Sequence, residues 1–147
     1  MQLNLTPKQY AILIKLVYLG NLVVNSRLSP DERLPEFGEV EKLVYTQAGG
    51  LAEEMGLRRD ETGRLLLSAS LEEELTQIID DYEEECFWDQ LSQRLAYRDL
   101  LEELGEEALE KMPPRERAEA LYRREERYDR EFEESGLEDL RLIKIKI

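Results

Sequence analysis

The segment of residues 5–25, LTPKQYAILIKLVYLGNLVVN, constrains the fold more than any other part of the chain. Thr6 is suited to cap a helix, Pro7 to occupy its first turn, and Gln9 to complete a capping box. We therefore predict a helix from Pro7 to Asn25. Apolar residues cover nearly its whole circumference, and such a helix is buried within a protein or between copies of it.

This segment is too interrupted to be a membrane span. Its apolar run from Tyr10 contains Lys15, Gly20 and Asn21, whereas a span needs about 20 predominantly apolar residues. The first residues, MQLNLT, lack the basic stretch and apolar run of an export signal. We expect a cytoplasmic protein that does not bind a membrane.

The sequence contains no histidine and a single cysteine, Cys86. Histidine is the side chain most used for proton transfer near neutral pH and the commonest nitrogen ligand of transition metals. Cys86 cannot form an internal disulfide, which fits a reducing compartment, and Glu83, Glu84 and Glu85 would raise its thiol pKa. We expect no catalytic residue, no metal ligand and no cofactor, and these expectations favour a non-enzymatic role.

The net charge of −14 is concentrated in one segment. Residues 1–70 carry 8 basic and 9 acidic side chains, residues 71–110 carry 2 and 15, and residues 111–147 carry 10 and 10. A segment this acidic repels nucleic acid and anionic membranes at long range and favours basic proteins. Nucleic acid is therefore an unlikely partner, and a basic protein is a candidate partner.

Both ends of the chain alternate in a strand pattern. Met1, Leu3 and Leu5 alternate with polar residues, and Ile143, Ile145 and Ile147 alternate with lysines. The fold we predict is mainly α: a single domain over residues 1–147, built as a bundle of about five helices, with a small β-sheet formed by the N- and C-terminal strands.

Apolar spacing and helix start and stop signals place the other elements. A second helix is predicted from about Glu36 to Met55, with an apolar stripe of Phe37, Val40, Val44, Ala48, Leu51 and Met55. Capping signals at Ser70 and Asp81 predict two further helices, the second ending at Gly105. A last helix is predicted from the prolines at 113 and 114 to Gly136.

Acidic residues cluster at 72–74, 83–85 and 106–107, each in the first turn after a predicted cap, at Ser70, Asp81 and Gly105 respectively. The helix dipole stabilises an anion there by about 0.3–1 kcal/mol, which explains the clusters without a metal ion. Glu107 and Glu110, followed by Glu126 and Asp129, resemble the E-x-x-E and E-x-x-D pairs of the MazG-type all-α nucleotide pyrophosphohydrolases. This resemblance implies a Mg²⁺-dependent hydrolase, which ranks third because a hairpin would leave the pairs about 10–15 Å out of register.

Residues 51–66, LAEEMGLRRDETGRLL, resemble the consensus of DNA-binding helix-turn-helix proteins. Ala52, Gly56, Leu57 and Leu65 match its close-packed, turn and buried positions. The resemblance implies a DNA-binding regulator in which Arg58, Arg59 and Arg64 contact phosphates. The same residues also fit a hairpin or tight loop, since DETG followed by an apolar run is typical of a turn into a strand.

One cluster within the acidic segment is a candidate anion or partner contact. Arg94 and Arg98 are its only cations, one helical turn apart, and Trp88 and Tyr97 lie close to them in sequence. The alternative is that both arginines neutralise neighbouring acids. The function we expect first is a non-catalytic cytoplasmic interaction or assembly protein, homodimeric through the first helix or the terminal strands.

Overall fold

The computed structural model describes residues 3–138 and 140–141. Over these residues the chain forms five α-helices, one short 3-10 helix and one two-stranded sheet. In chain order they are α1 (Pro7–Asn25), α2 (Pro35–Gln47), the 3-10 helix (Gly49–Leu51), β1 (Leu57–Arg59), β2 (Leu65–Leu67), α3 (Ala69–Leu104), α4 (Glu106–Lys111) and α5 (Pro114–Ser135). The prediction of a mainly helical chain with a small sheet is confirmed.

Contacts within the chain divide it into two compact units, Met1–Ile79 and Asp80–Ile147, which we call the N-terminal and the C-terminal unit. Helix α3 contributes residues to both units. This division concerns compactness alone, so the single domain and the arrangement of its helices as one bundle stay predictions.

Helix α1 begins and ends where the sequence predicts. Thr6 Oγ1 accepts a hydrogen bond from the Gln9 N–H at 3.3 Å, and Gln9 Oε1 accepts one from the Thr6 N–H at 2.9 Å. Asn25 fixes the other end, because its side chain accepts from the Leu34 N–H and donates to the Leu34 carbonyl. The Tyr10 hydroxyl donates to the Val44 carbonyl at 2.7 Å, so α2 runs back along α1.

Helix α2 is shorter than predicted. It ends at Gln47 rather than Met55, because Gly49 takes a φ of +56° and the chain continues as a 3-10 helix and turns. A left-handed residue cannot continue an α-helix. Phe37 and Val40 are exposed rather than part of the core, which corrects the predicted stripe.

The segment between α2 and α3 is a hairpin. Leu57 pairs with Leu67 and Arg59 with Leu65 in an antiparallel ladder. Asp60 Oδ1 accepts from the backbone N–H groups of Thr62 and Arg64, both at 2.9 Å, which closes the turn. Of the two interpretations of this segment the hairpin is confirmed, and the second helix that a helix-turn-helix requires is not formed.

The N-terminal unit has one apolar core to which every element contributes except the 3-10 helix. Its buried side chains are Ile14, Tyr45, Ala48, Ala52, Met55, Leu57, Leu67, Leu71 and Leu75. Gly56 lies directly against this core: a Cβ built there would stand 2.7 Å from Leu71 Cδ2.

Helix α3 is one continuous helix where the sequence predicts two. Asp81 lies inside it, and the start is fixed by Ser68, whose Oγ accepts from the Leu71 N–H at 3.3 Å, rather than by Ser70. Its buried residues fall at the two ends, Leu71 and Leu75 near the start and Ser92, Ala96 and Leu100 further on. No residue between positions 76 and 91 is buried.

In the C-terminal unit α5 contacts α3 through aromatic rings. The Trp88 and Phe132 rings lie 5.3 Å apart and those of Tyr128 and Phe132 5.9 Å apart. The Gly136 N–H donates to the Phe132 carbonyl at 2.9 Å and ends α5 as predicted.

The predicted terminal sheet is not confirmed. Leu3 and Leu5 belong to no strand. Met1, Ile143, Ile145 and Ile147 lie outside the described residues. Within the described residues the hairpin is the only sheet.

Candidate interaction surfaces

Six exposed apolar side chains of α1 and α2 form what we call the α1–α2 surface. They are Ile12, Leu16 and Val23 on α1, and Phe37, Val40 and Leu43 on α2, and each is between 38% and 64% exposed. The α1 members are spaced by four and seven residues and the α2 members by three, so each set lies on one side of its helix. Helix α1 is therefore buried by its own chain on one side only, and the homodimer that was predicted from its apolar circumference stays a prediction.

A groove of about 370 Å³ lies between α1 and α2 and includes Phe37 and Val40 of this surface. It is lined by Val17, Gly20 and Asn21 of α1 and by Glu36, Phe37 and Val40 of α2. No atom lies within 4 Å of where a Gly20 Cβ would stand, so this glycine leaves the groove open. Glu36 is its one charged lining residue. The groove is thus mainly apolar with a single carboxylate, and on α2 the exposed Glu39 lies beside Leu43.

A polar cluster of α1 and α2 adjoins the groove through Asn21. Asn21 Nδ2 donates to Glu41 Oε2 at 2.7 Å. Burial, followed by the charge of Glu41, raises the pKa of Tyr45 well above its ordinary value. Burial also raises the pKa of Tyr18, with smaller contributions from Glu72 and Glu41. Both tyrosines therefore stay neutral near pH 7.

The C-terminal unit contains a charged cluster centred on Asp99. Its carboxylate accepts from the Tyr128 hydroxyl at 2.5 Å, from Arg127 Nη2 at 3.1 Å and from Arg98 Nη2 at 2.7 Å. Burial alone would raise the pKa of Asp99, but the hydrogen bonds from Tyr128 and Arg98 and the charges of both arginines lower it below its usual range. The cluster keeps a carboxylate ionised and joins α3 to α5.

A shallow cavity of about 310 Å³ adjoins this cluster. Its lining residues include Leu95, Arg98, Tyr128, Phe132 and Leu140. Arg98 is already engaged by Asp99, and it also donates to the Tyr128 hydroxyl at 3.3 Å. The cavity therefore presents an apolar wall and a guanidinium whose charge is largely balanced.

The four residues of the predicted anion or partner contact are not brought to one place. Arg98 lines the cavity beside Asp99, Arg94 lines a separate groove on α3, and Trp88 lines a third depression beside α5. Tyr97 is exposed and lines none of these three. Arg94 and Arg98, four residues apart, share one side of α3 by their spacing, whereas Trp88 and Tyr97, nine residues apart, lie on opposite sides of it.

The three arginines of the helix-turn-helix interpretation lie on the hairpin. Arg59 Nη1 donates to the Gly63 carbonyl at 3.0 Å, and Arg64 lies close enough to Asp60 to help lower the pKa of that carboxyl. The hydrogen bond from Thr62 is the largest contribution to that shift. Without a recognition helix, the motif that implied phosphate contacts by Arg58, Arg59 and Arg64 is lost.

The carboxylates of the hydrolase interpretation lie on two helices. Glu107 and Glu110 are on α4, where Lys111 pairs with Glu107, while Glu126 and Asp129 are on α5. Within residues 3–138 and 140–141, no group of three or more His, Cys, Asp or Glu residues is placed to hold a metal ion. The geometry thus gives this interpretation no support.

Two features escaped sequence reasoning. The first is the part of the α1–α2 surface that α2 contributes. Its helical spacing of apolar residues, with Phe37 and Val40, is the same for a buried stripe as for an exposed one. The Asp99–Tyr128 contact joins residues that are 29 positions apart, and no local pattern marks it.

Comparison with known proteins gave no match: no protein-family model, curated protein or solved structure matches this chain. Among the described residues, no helix combines the length and the apolar character that crossing a bilayer requires.

Proposed function

We propose that the protein is a non-catalytic interaction or assembly protein that forms a homodimer through the α1–α2 surface. The observation that carries the proposal is the exposure of six large apolar side chains on α1 and α2, two of which, Phe37 and Val40, line a groove between the helices. Contiguous apolar patches on a folded protein commonly mark a site of association. The single Cys86 fits a reducing compartment, and we place the protein in the cytoplasm.

The charge of the chain favours a second copy at this surface over most other arrangements of two copies. At a net charge of −14, two copies repel each other wherever acidic faces meet. The charged residues of α1 are two cations, Lys8 and Lys15, and the carboxylates beside the surface are those of Glu36 and Glu39 on α2. Two copies related by a two-fold axis can therefore bring this patch together with little repulsion.

The amount of apolar area is adequate for such a dimer. Fully burying a large apolar side chain is worth about 1.5–3 kcal/mol, so each half-exposed one contributes about 1 kcal/mol. Six such side chains on each copy give about 12 kcal/mol before the cost of association, which is about 4–15 kcal/mol. At the lower end of that cost the balance is about 8 kcal/mol, which corresponds to a dimer in the micromolar range.

Sedimentation equilibrium over a range of protein concentrations tests the proposal. The double variant Leu16→Asp and Val40→Asp places two charges in the patch of each copy, and we expect it to dissociate about a hundredfold more easily. Ile78→Asp is the matched control, because Ile78 is 48% exposed but lies on α3 outside the surface. Far-UV circular dichroism checks that each variant is folded. A native protein that stays monomeric at about 100 μM, the concentration at which a micromolar dimer is almost fully formed, would rule the dimer out.

A further inference from the structure

A second apolar groove lies on α3 in the C-terminal unit, and we call it the α3 groove. It has a volume of about 310 Å³ and is lined by Cys86, Phe87, Gln90, Leu91 and Arg94. Phe87 is 50% exposed although its ring packs edge-on against Trp88 with centroids 5.0 Å apart. A large aromatic ring held by a neighbour and still open to water is a suitable anchor for a binding partner.

Carboxylates continue the face of this groove toward the start of α3. Glu83 lies four residues before Phe87 and Asp80 seven residues before it, so both share its side of the helix. Among the described residues neither carboxylate is engaged in an ion pair. No Lys or Arg occurs from residue 65 to residue 93, so no cation of that stretch balances them.

The other end of the groove has the opposite charge. Arg94 lines it, and no hydrogen bond or ion pair involves this guanidinium in the part of the chain that the structure describes. The face therefore runs from two carboxylates through an aromatic anchor to a cation over about four helical turns, since Asp80 and Arg94 are 14 residues apart. A complementary partner has cations opposite Asp80 and Glu83 and an anion opposite Arg94.

We propose that the α3 groove binds a basic amphipathic helix of another protein. Such a helix presents two Lys or Arg side chains to Asp80 and Glu83, apolar side chains to Phe87 and Leu91, and a carboxylate to Arg94. An apolar stripe flanked by charges is the pattern by which helices occupy grooves. A second copy of this chain is a poor occupant, because residues 80–147 carry 22 acidic and 12 basic side chains and repel their like.

Synthetic peptides that contain no tryptophan test this directly. The basic probe is an amphipathic helical peptide with a leucine stripe, two lysines at one end and a glutamate at the other. The control peptide has the same leucines with every charge reversed. Binding is followed by the anisotropy of a labelled peptide and by the fluorescence of Trp88, the only tryptophan of the chain, which lies against Phe87. We expect the basic probe to bind and added salt to weaken it.

Variants of the full chain locate the site. The double variant Asp80→Lys and Glu83→Lys is expected to weaken binding of the basic probe about tenfold or more, because attraction becomes repulsion. The double variant Glu106→Lys and Glu110→Lys changes the net charge equally but lies on α4, and is expected to weaken binding less than about threefold. Phe87→Ala should weaken binding, and Phe87→Leu should restore most of it.

Three results would overturn the proposal. The first is equal binding of the basic and the charge-reversed peptide by the native protein, or no binding of either. The second is an equal effect of the α3 and α4 charge reversals, which would indicate attraction to net charge alone. The third is a change in association state, measured by sedimentation, between the native protein and the double variant Asp80→Lys and Glu83→Lys. That change would assign the groove to a second copy of this chain.

Discussion

In the N-terminal unit nine side chains meet in one apolar core, whereas in the C-terminal unit α5 buries none of its residues completely. The C-terminal unit joins α5 to α3 by the Asp99 cluster, by a pair between Arg124 and Glu103, and by the Trp88, Tyr128 and Phe132 rings. Exclusion of water stabilises the first unit, whereas the second adds the hydrogen bonds and ion pairs of Asp99 and Glu103 to a smaller set of buried apolar residues, Ala96, Leu100 and Leu109. The stability of the two units should therefore respond differently to substitution and to pH.

The largest effect is expected in the core of the N-terminal unit. Leu75 is fully buried there, so Leu75→Ala should lower the free energy of unfolding by about 2–5 kcal/mol. Ile78→Ala, one turn further along α3 at a half-exposed position, should cost less than about 1 kcal/mol. Urea unfolding followed by circular dichroism measures both. Similar costs for the two variants would contradict an apolar core centred on the N-terminal unit.

The next effect depends on a pair of glycines in the same unit. Gly56 and Gly63 have φ values of +81° and +82°, so an alanine is strained at either position by about 1–2 kcal/mol. Only at Gly56 does a Cβ also meet Leu71, at 2.7 Å, which adds about 1–3 kcal/mol for overpacking. We expect Gly56→Ala to lower the melting temperature clearly more than Gly63→Ala. Equal shifts would mean that the core yields to the extra methyl group.

A smaller effect is expected in the C-terminal unit. Tyr128→Phe removes the hydroxyl that donates to Asp99 but keeps the ring beside Phe132, and should cost about 1–3 kcal/mol. Tyr122→Phe on the same helix is the control, because that side chain is largely exposed. Trp88 fluorescence during urea unfolding reports on this unit, since its ring contacts Phe132. No difference between the two variants would show that the Asp99 cluster adds nothing to the stability of the unit.

The smallest expected effect is on the pH dependence. Because the pKa of Asp99 is lowered in the folded protein, its ionised form stabilises the fold above the ordinary carboxyl pKa of about 4. That contribution is lost as the pH falls through the lowered value. The difference in unfolding free energy between the native protein and Asp99→Asn should therefore shrink as the pH falls from about 5 through the lowered pKa of Asp99. A difference that stays constant would contradict an ionised Asp99 in the folded state.

The parts of the fold that local chemistry decides could be predicted from the sequence. The capping box of Thr6 and Gln9 marked the start of α1, Gly136 marked the end of α5, and the DETG turn marked the hairpin. Helix α3 was divided wrongly at Asp81 because a start signal was accepted without a stop signal. No glycine or proline lies between Gly63 and Gly105, so nothing in that stretch ends a helix.

The surfaces could be predicted only in part. The apolar circumference of α1 indicated that more than its own chain covers this helix, but not which side remains exposed. That depends on where α2 packs, through contacts such as that of Tyr10 with Val44, 34 residues along the chain. Likewise, Arg94 and Arg98 form one cluster in the sequence, but only Arg98 is bound by Asp99 in the structure. Asp99 is in turn bound by Tyr128, whose place depends on how α5 packs.

The run of α3 between Leu75 and Ser92 has a consequence for its dynamics. No residue from 76 to 91 is buried, and acidic residues three or four positions apart, such as Asp80 and Glu84, repel one another along it. The amide hydrogens of these turns should exchange with deuterium sooner than those beside Leu75 or Leu100, because local opening there breaks no apolar packing. In this helix of 36 residues the free energy of local opening is therefore expected to be low in the middle. A partner that binds there should slow the exchange of those amide hydrogens more than that of other amides.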